Sequence, residues 1–437
     1  MLYWAMPSAL LRCAARELAR LIASGEVSSA EVVELHLEQL EALKPLNALA
    51  YTDPAAVRRE ARQRDRQRAA GEALGPLHGV PFTVKDWLDV AGWPCAGAEL
   101  KFRHRRPDQD ASAVGRLRAA GGVVLGKTAV LAESEVYGRV HHPHDPRLSP
   151  GGSSSGEAVL IAACGSPLGL GSDSGGSIRQ PAAYCGVAGL KPTPGRVPLT
   201  GHFPRINPLA DPRTVIGPLA RRVADLGLAL KLIMGEDGHD PSAVPATLGD
   251  IPAPIEGLRV AYHHTLPDTA VDPQIVQAVR WAAQTLANAG CHVREEAPPG
   301  QTEAMRLTRQ YWARPESSSW DEWQPDGAVS SLSADEVERH LFDWDVYRRR
   351  LLAFMHSADV LLLPVAENLA APHGREGGVD FTAPYSLAGL PAVTVPVGRS
   401  PEGLPIGVQV VARAWREDVA LGAAQVLEDA YAGAGSG

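Results

Sequence analysis

The sequence has few features of an exported or membrane-bound protein. Its five cysteines are scattered over 437 residues with no CxxC pair, which argues against a disulfide-stapled fold and indicates a reducing compartment. No stretch approaches the roughly 18 consecutive apolar residues of a membrane-spanning helix. Residues Met1 to Leu11 also lack the basic start and apolar core of a signal peptide. We therefore expect a cytoplasmic protein with no membrane partner.

Lysine is also scarce, with only six among the 42 lysine and arginine residues. The formal net charge is −8 and the isoelectric point is near 6.0. Because phosphate binding usually requires a basic excess, we expect no nucleic-acid partner. An Arg-rich stretch, 55–70, ends at Gly71 and is interpreted as an exposed helix with a glycine stop.

The order of the predicted elements indicates an α/β fold. The chain begins with helices, one of which starts at a capping box formed by Ser28 and Glu31. From residue 78 onwards, short β-prone runs alternate with helical ones. Segments rich in Pro, Gly and Ser predict loops at 141–156 and 191–218. Buried strands are predicted near the C-terminus, at 360–364, 391–397 and 406–411.

A lysine ends the apolar, strand-like run HGVPFTVKD, residues 78–86. Burying a lysine at such a place is costly unless the amine is paired or neutral. A structural ion pair between Lys85 and Asp86 would account for this segment taken alone. The alternative is a lysine that is kept neutral for catalysis.

A Gly/Ser-rich segment, SPGGSSSGE at 149–157, directly precedes an apolar helical run, 158–163. Such a composition is often a flexible linker. A linker is not expected immediately before an apolar helix inside an α/β domain. A tight glycine turn at a helix N-terminus, in contrast, holds a hydroxyl near backbone donors. The position of this segment therefore favours a functional turn.

A second glycine–serine segment, GLGSDSGGSIRQP at 169–181, contains Ser177. Glycines before a serine allow a sharp turn that points several N–H groups at one spot, as an oxyanion hole requires. A structural turn is the alternative. Ser177 lies 24 residues after Ser153. Two hydroxyls and one lysine, with no equally good histidine, suggest a Ser–Lys catalytic arrangement.

These three segments resemble the motifs of the amidase signature family, whose members use a Ser–Ser–Lys triad. The resemblance extends over residues 20–430 and includes the stretches CGVAGLKPT and GLPIG. It implies that Lys85, Ser153 and Ser177 are the catalytic residues of a serine-dependent amidase. It also implies a single α/β/α domain around a large mixed β-sheet.

The resemblance further implies the extent of the domain and the course of the reaction. The domain would span residues 1–430, with helices at about 10–70, an irregular and variable Trp-rich cap at 300–345 and a disordered tail at 431–437. An amide would acylate Ser177, and the oxyanion would be held by the backbone N–H groups of Ser174, Gly175, Gly176 and Ser177. The Gly152–Ser153 peptide bond would be cis. The reaction needs no cofactor and no metal, its substrate would be a small-molecule amide, and a homodimer is left open.

Lys85 can act as a base only if its pKa is lowered. An unperturbed lysine has a pKa near 10.4, so fewer than about one in a thousand would be neutral at pH 7. Burial at the end of an apolar strand would lower that pKa. Asp86 would oppose the effect if it faced the amine, so we expect the Asp86 carboxylate to point away from Lys85.

The sequence departs from the family pattern at two places. Ser155 stands where a glycine is usual, which is harmless if its φ angle is negative. The stretch after Thr128 lacks the usual asparagine, so a role for that loop is in doubt.

A different hydrolase class is also compatible with one motif, since GSSSG at 152–156 fits G-x-S-x-G with Ser154 as the nucleophile. That elbow requires a preceding β-strand, and prolines occupy the stretch before it: Pro143, Pro146 and Pro150. The elbow is therefore the weaker interpretation.

Two further alternatives stay open. The chain could be the amidase-like subunit of a tRNA-dependent amidotransferase, although that protein typically carries Ser-Leu-Asp-Gln-x-Gly-Pro where this chain has DPRTVIGP at 211–218. The His cluster HHPHD at 141–145 could suggest a metal site. A proline-broken loop of this kind is more often solvated surface, and a Ser–Lys mechanism has no use for zinc.

Overall fold

The computed structural model describes residues 7–206, 213–267, 269–312 and 332–434. Its strands, in chain order, are β1 (Leu49–Tyr51), β2 (Pro81–Lys85), β3 (Val123–Thr128), β4 (Glu133–Ser134), β5 (Gly138–Arg139), β6 (Leu168–Asp173), β7 (Ala188–Lys191), β8 (Val215–Ala220), β9 (Arg259–Tyr262), β10 (His292–Glu295), β11 (Val360–Pro364), β12 (Ala392–Arg399) and β13 (Pro405–Ala412). Eleven of them form one sheet in the order β1-β3-β2-β6-β8-β7-β12-β13-β11-β9-β10, and β4 pairs with β5. Parallel and antiparallel pairs both occur in the large sheet.

Helices flank this sheet. They are α1 (Ala9–Arg12), α2 (Ala15–Ser24), α3 (Ser29–Ala42), α4 (Pro54–Ala69), α5 (Ser112–Ala119), α6 (Ser155–Ala162), α7 (Arg179–Cys185), α8 (Val223–Ile233), α9 (Pro273–Asn288), α10 (Gln301–Trp312), α11 (Ala334–Met355), α12 (Ala383–Leu387) and α13 (Glu417–Ala434). Single 3-10 turns occur at Lys44–Leu46 and Leu100–Phe102. In the described part of the chain, no helix is both long and apolar enough to span a membrane.

The two faces of the sheet carry separate hydrophobic cores. Along β13, Val410 packs into the larger core with residues of α9 and α13, whereas the next residue, Val411, packs into a second core with residues of α10 and α11. Successive side chains of a strand point to opposite faces. The arrangement is therefore helix, sheet, helix, and the predicted α/β class with a large mixed sheet is confirmed.

The N-terminal helices form as the sequence predicts. Ser28 and Glu31 make a reciprocal capping box at the start of α3, and the Ser28 N–H donates to Glu31 Oε2 at 2.7 Å. The Arg-rich stretch is α4, which is followed by Gly71 at a φ of 72°. An ion pair between Arg58 and Glu34 at 2.7 Å joins α4 to α3.

Two neighbouring strands place the predicted site at one edge of the sheet. β2 runs parallel to β6, with Val84 opposite Leu170. Because parallel strands end at the same edge, the last residue of β2, Lys85, lies next to the end of β6 at Ser172 and Asp173. The glycine turn that contains Ser177 follows β6 directly.

One predicted loop is partly wrong, because 191–218 includes the start of the buried strand β8. Gly217 and Pro218 give that stretch the composition of a loop. Gly217 is instead required by close packing of strands, since a Cβ there would lie 2.1 Å from the Leu190 carbonyl oxygen. A glycine in a strand often marks such a close approach.

The expectations for the cap and the tail also need correction. The stretch 300–345 is helical where it is described, in α10 and in the first half of α11, and residues 313–331 lie outside the described residues. Trp344 packs edge-on to Tyr311, so the aromatic residues join the two helices. The expected disordered tail is helical through Ala434, and 435–437 lie outside the described residues.

Candidate active site

The Lys85 amine lies in a fully buried position at the end of β2. Its Nζ lies 2.7 Å from Ser153 Oγ, 3.1 Å from Ser172 Oγ and 3.2 Å from the Ser172 carbonyl oxygen. These partners are uncharged. The Trp87 ring covers the amine, with its centroid 4.2 Å away. Burial accordingly holds the pKa of Lys85 well below its usual value, although the charges of Asp173 and Glu157 oppose the shift.

Asp86 turns away from Lys85, as expected. Its Oδ1 lies 2.8 Å from the Nζ of Lys127, and both side chains of this pair are buried. Its other carboxylate oxygen accepts hydrogen bonds from the Ala96 N–H at 2.9 Å and from the Tyr137 hydroxyl. The structural Lys–Asp pair therefore exists, but its lysine is Lys127, and Lys85 is left with neutral partners.

Ser153 is held by the glycine turn that precedes α6. The Gly152–Ser153 peptide bond is cis, as the resemblance implied, and Gly151 has a φ of 74°. Ser153 itself is almost fully buried. Ser155 lies in the first turn of α6, where its hydroxyl donates to the Gly151 carbonyl oxygen at 2.6 Å. A helical residue has a negative φ, so the serine in place of glycine is harmless at this position.

Ser177 lies in the turn between β6 and α7 and is half-buried. The N–H of Ser154 donates to the Ser177 carbonyl oxygen at 3.0 Å, which joins the two glycine–serine segments. Among the described residues, no hydrogen bond joins the Ser177 hydroxyl to Ser153. The structure thus brings the two segments into contact, and no described residue holds the Ser177 hydroxyl in a hydrogen bond.

A buried ion pair fixes the turn around Ser177. Asp173 and Arg179 are fully buried and lie 3.0 Å apart. Asp173 also accepts hydrogen bonds from the backbone N–H groups of Gly176 at 2.8 Å and Ile178 at 3.1 Å. Burial alone would raise the pKa of Asp173, but the charge and hydrogen bonds of Arg179 bring it to about 2. The carboxylate is therefore ionised and holds the chain on both sides of Ser177.

The residues expected to form the oxyanion hole differ in whether their donor groups are already hydrogen-bonded within the protein. The Gly176 N–H is already engaged by Asp173, and the Ser174 hydroxyl lies 2.6 Å from Thr214 Oγ1. No described residue accepts a hydrogen bond from the N–H of Gly175 or Ser177. Gly176 also has a φ of 145°, and a Cβ there would lie 2.6 Å from Thr382 Oγ1. Gly176 is thus required by the shape of the turn.

The competing elbow at Ser154 is wrong. Ser154 is fully buried, and its hydroxyl donates to the Ser172 carbonyl oxygen at 3.3 Å. The described residues between β5 and α6 contain no strand that could form the elbow. Ser154 is therefore part of the packing beneath the site.

The His cluster is also different from the solvated loop that the sequence suggested. His142 is fully buried, and its Nε2 lies 2.9 Å from the Tyr184 carbonyl oxygen while its Nδ1 accepts from the His144 N–H at 3.2 Å. Burial lowers the pKa of both rings to about 4. These contacts give His142 a structural role in a tight turn.

With this geometry in place, comparison with known proteins identifies the family. A family model described as Amidase matches residues 31–322 and 319–421 of the chain. The chain belongs to the amidase signature family. It is therefore an enzyme that hydrolyses amide C–N bonds.

Relatives of this amidase match over nearly the whole chain. The acylamidase of Rhodococcus erythropolis is 34% identical over 459 residues, which cover 95% of this chain and 94% of that protein. One subunit of the glutamyl-tRNA(Gln) amidotransferase of Synechococcus sp. (strain CC9605) is 33% identical over 467 residues, with 93% and 94% covered. The solved structure of the peptide amidase from Stenotrophomonas maltophilia has a TM-score of 0.81, with 27% identity and coverage of 96% and 97%.

Several residues of the amidase site escaped the sequence analysis. Ser172 lies beside the Lys85 amine and His202 lies beside Ser172, while Asp173 with Arg179 fixes the nucleophile turn. Asp173 and Arg179 lie within the glycine–serine segment 169–181. An acidic and a basic residue six positions apart across a glycine turn could have predicted their ion pair. His202 lies in a Pro/Gly-rich loop far along the chain, and nothing local indicates its contact with Ser172.

Proposed function

We propose that Ser177 is the nucleophile of this amidase and that Lys85 is the base, which acts through Ser153. The observation that carries the proposal is the 2.7 Å contact between the Lys85 Nζ and the Ser153 Oγ, both of which are buried. A neutral amine in that position can accept the Ser153 proton. The contact between the Ser153 and Ser177 segments supports the second link of the relay.

In the first step, Ser177 Oγ attacks the carbonyl carbon of the amide. Its proton passes to Ser153 Oγ while the proton of Ser153 passes to the Lys85 Nζ. This transfer requires the Ser177 and Ser153 hydroxyls to approach each other, and catalytic hydrogen bonds often tighten only when a substrate is bound. Ser177 is half-buried, and none of the described residues already holds its hydroxyl in a hydrogen bond.

The tetrahedral oxyanion needs donors at the turn. We assign this task to the N–H groups of Gly175 and Ser177, with the neighbouring Ser174 N–H as a third candidate. Gly176 shapes the turn instead, because its own N–H is held by Asp173. Removing one such donor typically costs about 10²–10³ in kcat.

The remaining steps return the enzyme to its starting state. As the C–N bond breaks, Ser153 gives its proton to the leaving nitrogen and takes one from Lys85. The product amine or ammonia departs and leaves Ser177 as an ester. A water molecule then attacks the ester, its proton follows the same relay, and the carboxylic acid is released. The cycle consumes the amide and one water molecule and releases the carboxylic acid and the amine or ammonia. Lys85, Ser153 and Ser177 end in the protonation states in which they began.

We propose small linear carboxamides as substrates. The acylamidase and the peptide amidase that resemble this chain are both named for action on amides. A panel of primary amides, anilides, esters and ureas tests this proposal, with Ser177→Ala as the control. Release of ammonia or amine by the wild type and none by Ser177→Ala is the expected result. Unchanged amide turnover by Ser177→Ala would overturn the assignment of the nucleophile.

The similarity to a component of a glutamyl-tRNA(Gln) amidotransferase supports one other candidate, a glutaminase that acts within a complex. We favour an independent enzyme, because the Ser-Leu-Asp-Gln-x-Gly-Pro stretch is replaced by DPRTVIGP. Purification of the tagged chain from its own host distinguishes the two. Stoichiometric partner proteins would support the complex, and the chain alone, with full amidase activity, would support the independent enzyme.

We also propose that residues 1–430 form one cytoplasmic domain that binds neither nucleic acid nor membranes. One hydrophobic core includes residues from Ala15 to Leu427, which supports a single domain. The five cysteines are free, as is typical of a reducing compartment. Whether the enzyme is a monomer or a homodimer is testable by light scattering.

A further inference from the structure

His202 lies one hydroxyl away from the proposed base. It is buried, and its Nε2 lies 3.1 Å from Ser172 Oγ. The same Ser172 Oγ lies 3.1 Å from the Lys85 Nζ. The imidazole is thus linked to the Lys85 amine through the side chain of Ser172.

The loop that carries His202 is tied to the chain just after Lys85. The Phe203 N–H donates to the Trp87 carbonyl oxygen at 2.7 Å, and the Asp89 N–H donates to the Gly201 carbonyl oxygen at 2.9 Å. The rings of Trp87 and His202 lie 6.0 Å apart. These backbone bonds give the imidazole a defined place relative to the Lys85 amine.

A backbone contact sets the tautomer of His202. Its Nδ1 lies 2.8 Å from the Pro204 carbonyl oxygen, which can only accept, so Nδ1 carries a hydrogen. In a neutral imidazole, Nε2 is then an acceptor. We take the imidazole of His202 to be neutral, so that the Ser172 hydroxyl donates to Nε2 and its oxygen is left to accept from Lys85.

The hydrogen count at Lys85 follows from this orientation. A neutral amine has two N–H bonds and one lone pair. The two hydrogens are matched by the Ser172 carbonyl oxygen and the Ser172 Oγ, at 3.2 and 3.1 Å. The lone pair is then available to the third neighbour, Ser153 Oγ, at 2.7 Å.

We propose that His202 is a positioning residue that binds the Ser172 hydroxyl hydrogen and so keeps the lone pair of Lys85 available to Ser153. Without an acceptor at Nε2, the Ser172 hydroxyl can turn and donate to that lone pair, in competition with Ser153. The proposal rests on the function of Lys85 as the base. Asp173 and Glu157 are carboxyl groups whose charges act on the Lys85 amine.

A double-mutant cycle between His202→Phe and Ser172→Ala tests the proposal. Phenylalanine keeps a ring but offers no acceptor, whereas Ser172→Ala removes the competing hydrogen. The readout is the limiting rate at which a fluorophosphonate probe modifies Ser177, which requires no knowledge of the natural substrate. We expect His202→Phe to slow this rate by roughly 100-fold with little change in the half-saturating probe concentration. In the Ser172→Ala background, the same change should alter the rate by no more than about twofold.

Two more variants keep the test decisive. His202→Gln can place an amide oxygen near the Nε2 position, so it should recover most of the rate. His202→Asn can still donate to Pro204 but stops short of Ser172, so it should be as slow as His202→Phe and replaces that variant if the latter does not fold. An equal slowing by His202→Phe in both Ser172 backgrounds would overturn the proposal. Labelling of Ser177→Ala at the wild-type rate would instead overturn the proposed nucleophile, which separates the two failures.

Discussion

The carboxylate of Asp86 binds Lys127, with 2.8 Å between Oδ1 and Nζ, although Asp86 directly follows Lys85 in the chain. This pairing places Lys85 and Lys127, two of the three fully buried lysines of the described residues, in different electrostatic environments. The charge of Lys127 is compensated, and the pKa of Lys127 stays high despite burial because Cys95 and Asp86 oppose the effect. Among the described residues, Lys85 has only uncharged hydrogen-bond partners, and its pKa is lowered by burial.

The first prediction concerns the pair of Asp86 and Lys127. Lys127→Met leaves a buried carboxylate without its cation, and breaking a buried pair in this way costs about 3–5 kcal/mol of the free energy of unfolding. Adding Asp86→Asn should recover part of that loss. Urea unfolding of the two single variants and the double variant checks this. Additive losses in the double variant would contradict a direct pair.

The second prediction is the dependence of the rate on pH. Since only neutral Lys85 can accept a proton, kcat/KM should rise with pH as Lys85 deprotonates, at a lower pH than an ordinary lysine would require. Lys85→Arg keeps the charge but cannot deprotonate near neutrality, so it should lose about 10²–10⁴-fold of the activity, as Lys85→Ala does. Lys44→Arg, at an exposed lysine, is the matched control. Wild-type turnover by Lys85→Arg would make Lys85 a structural cation.

The third prediction concerns Asp173, which fixes the turn around Ser177. Asp173→Asn leaves the buried Arg179 without its charge partner, so we expect a loss of about 3–5 kcal/mol of stability and a large fall in kcat. The pKa of Asp173 is about 2 in the folded protein and near 3.9 in an unfolded chain. The contribution of this carboxylate is therefore full above pH 4 and is lost as pH falls through about 2.

Acid unfolding distinguishes this effect from a general loss of packing. The difference in stability between wild type and Asp173→Asn should be constant from neutral pH to about pH 5 and should shrink below pH 4. Asp108→Asn, at an exposed carboxylate, is the control and should change little. A difference that persists unchanged down to pH 2 would show that the charge of Asp173 is not the cause.

The local structure around the proposed catalytic residues was predictable because each of them lies within a short motif. The glycines around Ser153 and Ser177 specify turns locally, and the apolar run before Lys85 specifies a buried strand. His202 was not predictable in this way, because its contact with Ser172 depends on how a distant loop packs against the chain after β2. The partner of Asp86 also depends on packing, since Lys85 is the last residue of one buried strand and Lys127 is the penultimate residue of another.

The errors in the fold have equally specific causes. Strand β8 has the composition of a loop, because glycine and proline at 217 and 218 are compatible with a loop as well as with a strand. The close approach of Gly217 to the Leu190 carbonyl oxygen, which is seen only in the structure, explains why a glycine stands in this strand. The described part of the cap is mostly helical rather than irregular, and Ser333 and Glu336 form a capping box of the kind recognised at Ser28. This capping-box pattern is present in the sequence, but it directly follows a Trp-rich stretch whose composition suggests irregular structure.

The most direct test of the account is covalent labelling with a fluorophosphonate, followed by peptide mapping. Only a serine with a base and oxyanion donors beside it reacts readily with such a probe. The account predicts one label on Ser177 in the wild type, strong slowing in Lys85→Ala and in Ser153→Ala, and unchanged labelling in Lys44→Ala. Modification of another serine, or wild-type labelling of Ser177 in Lys85→Ala, would contradict it.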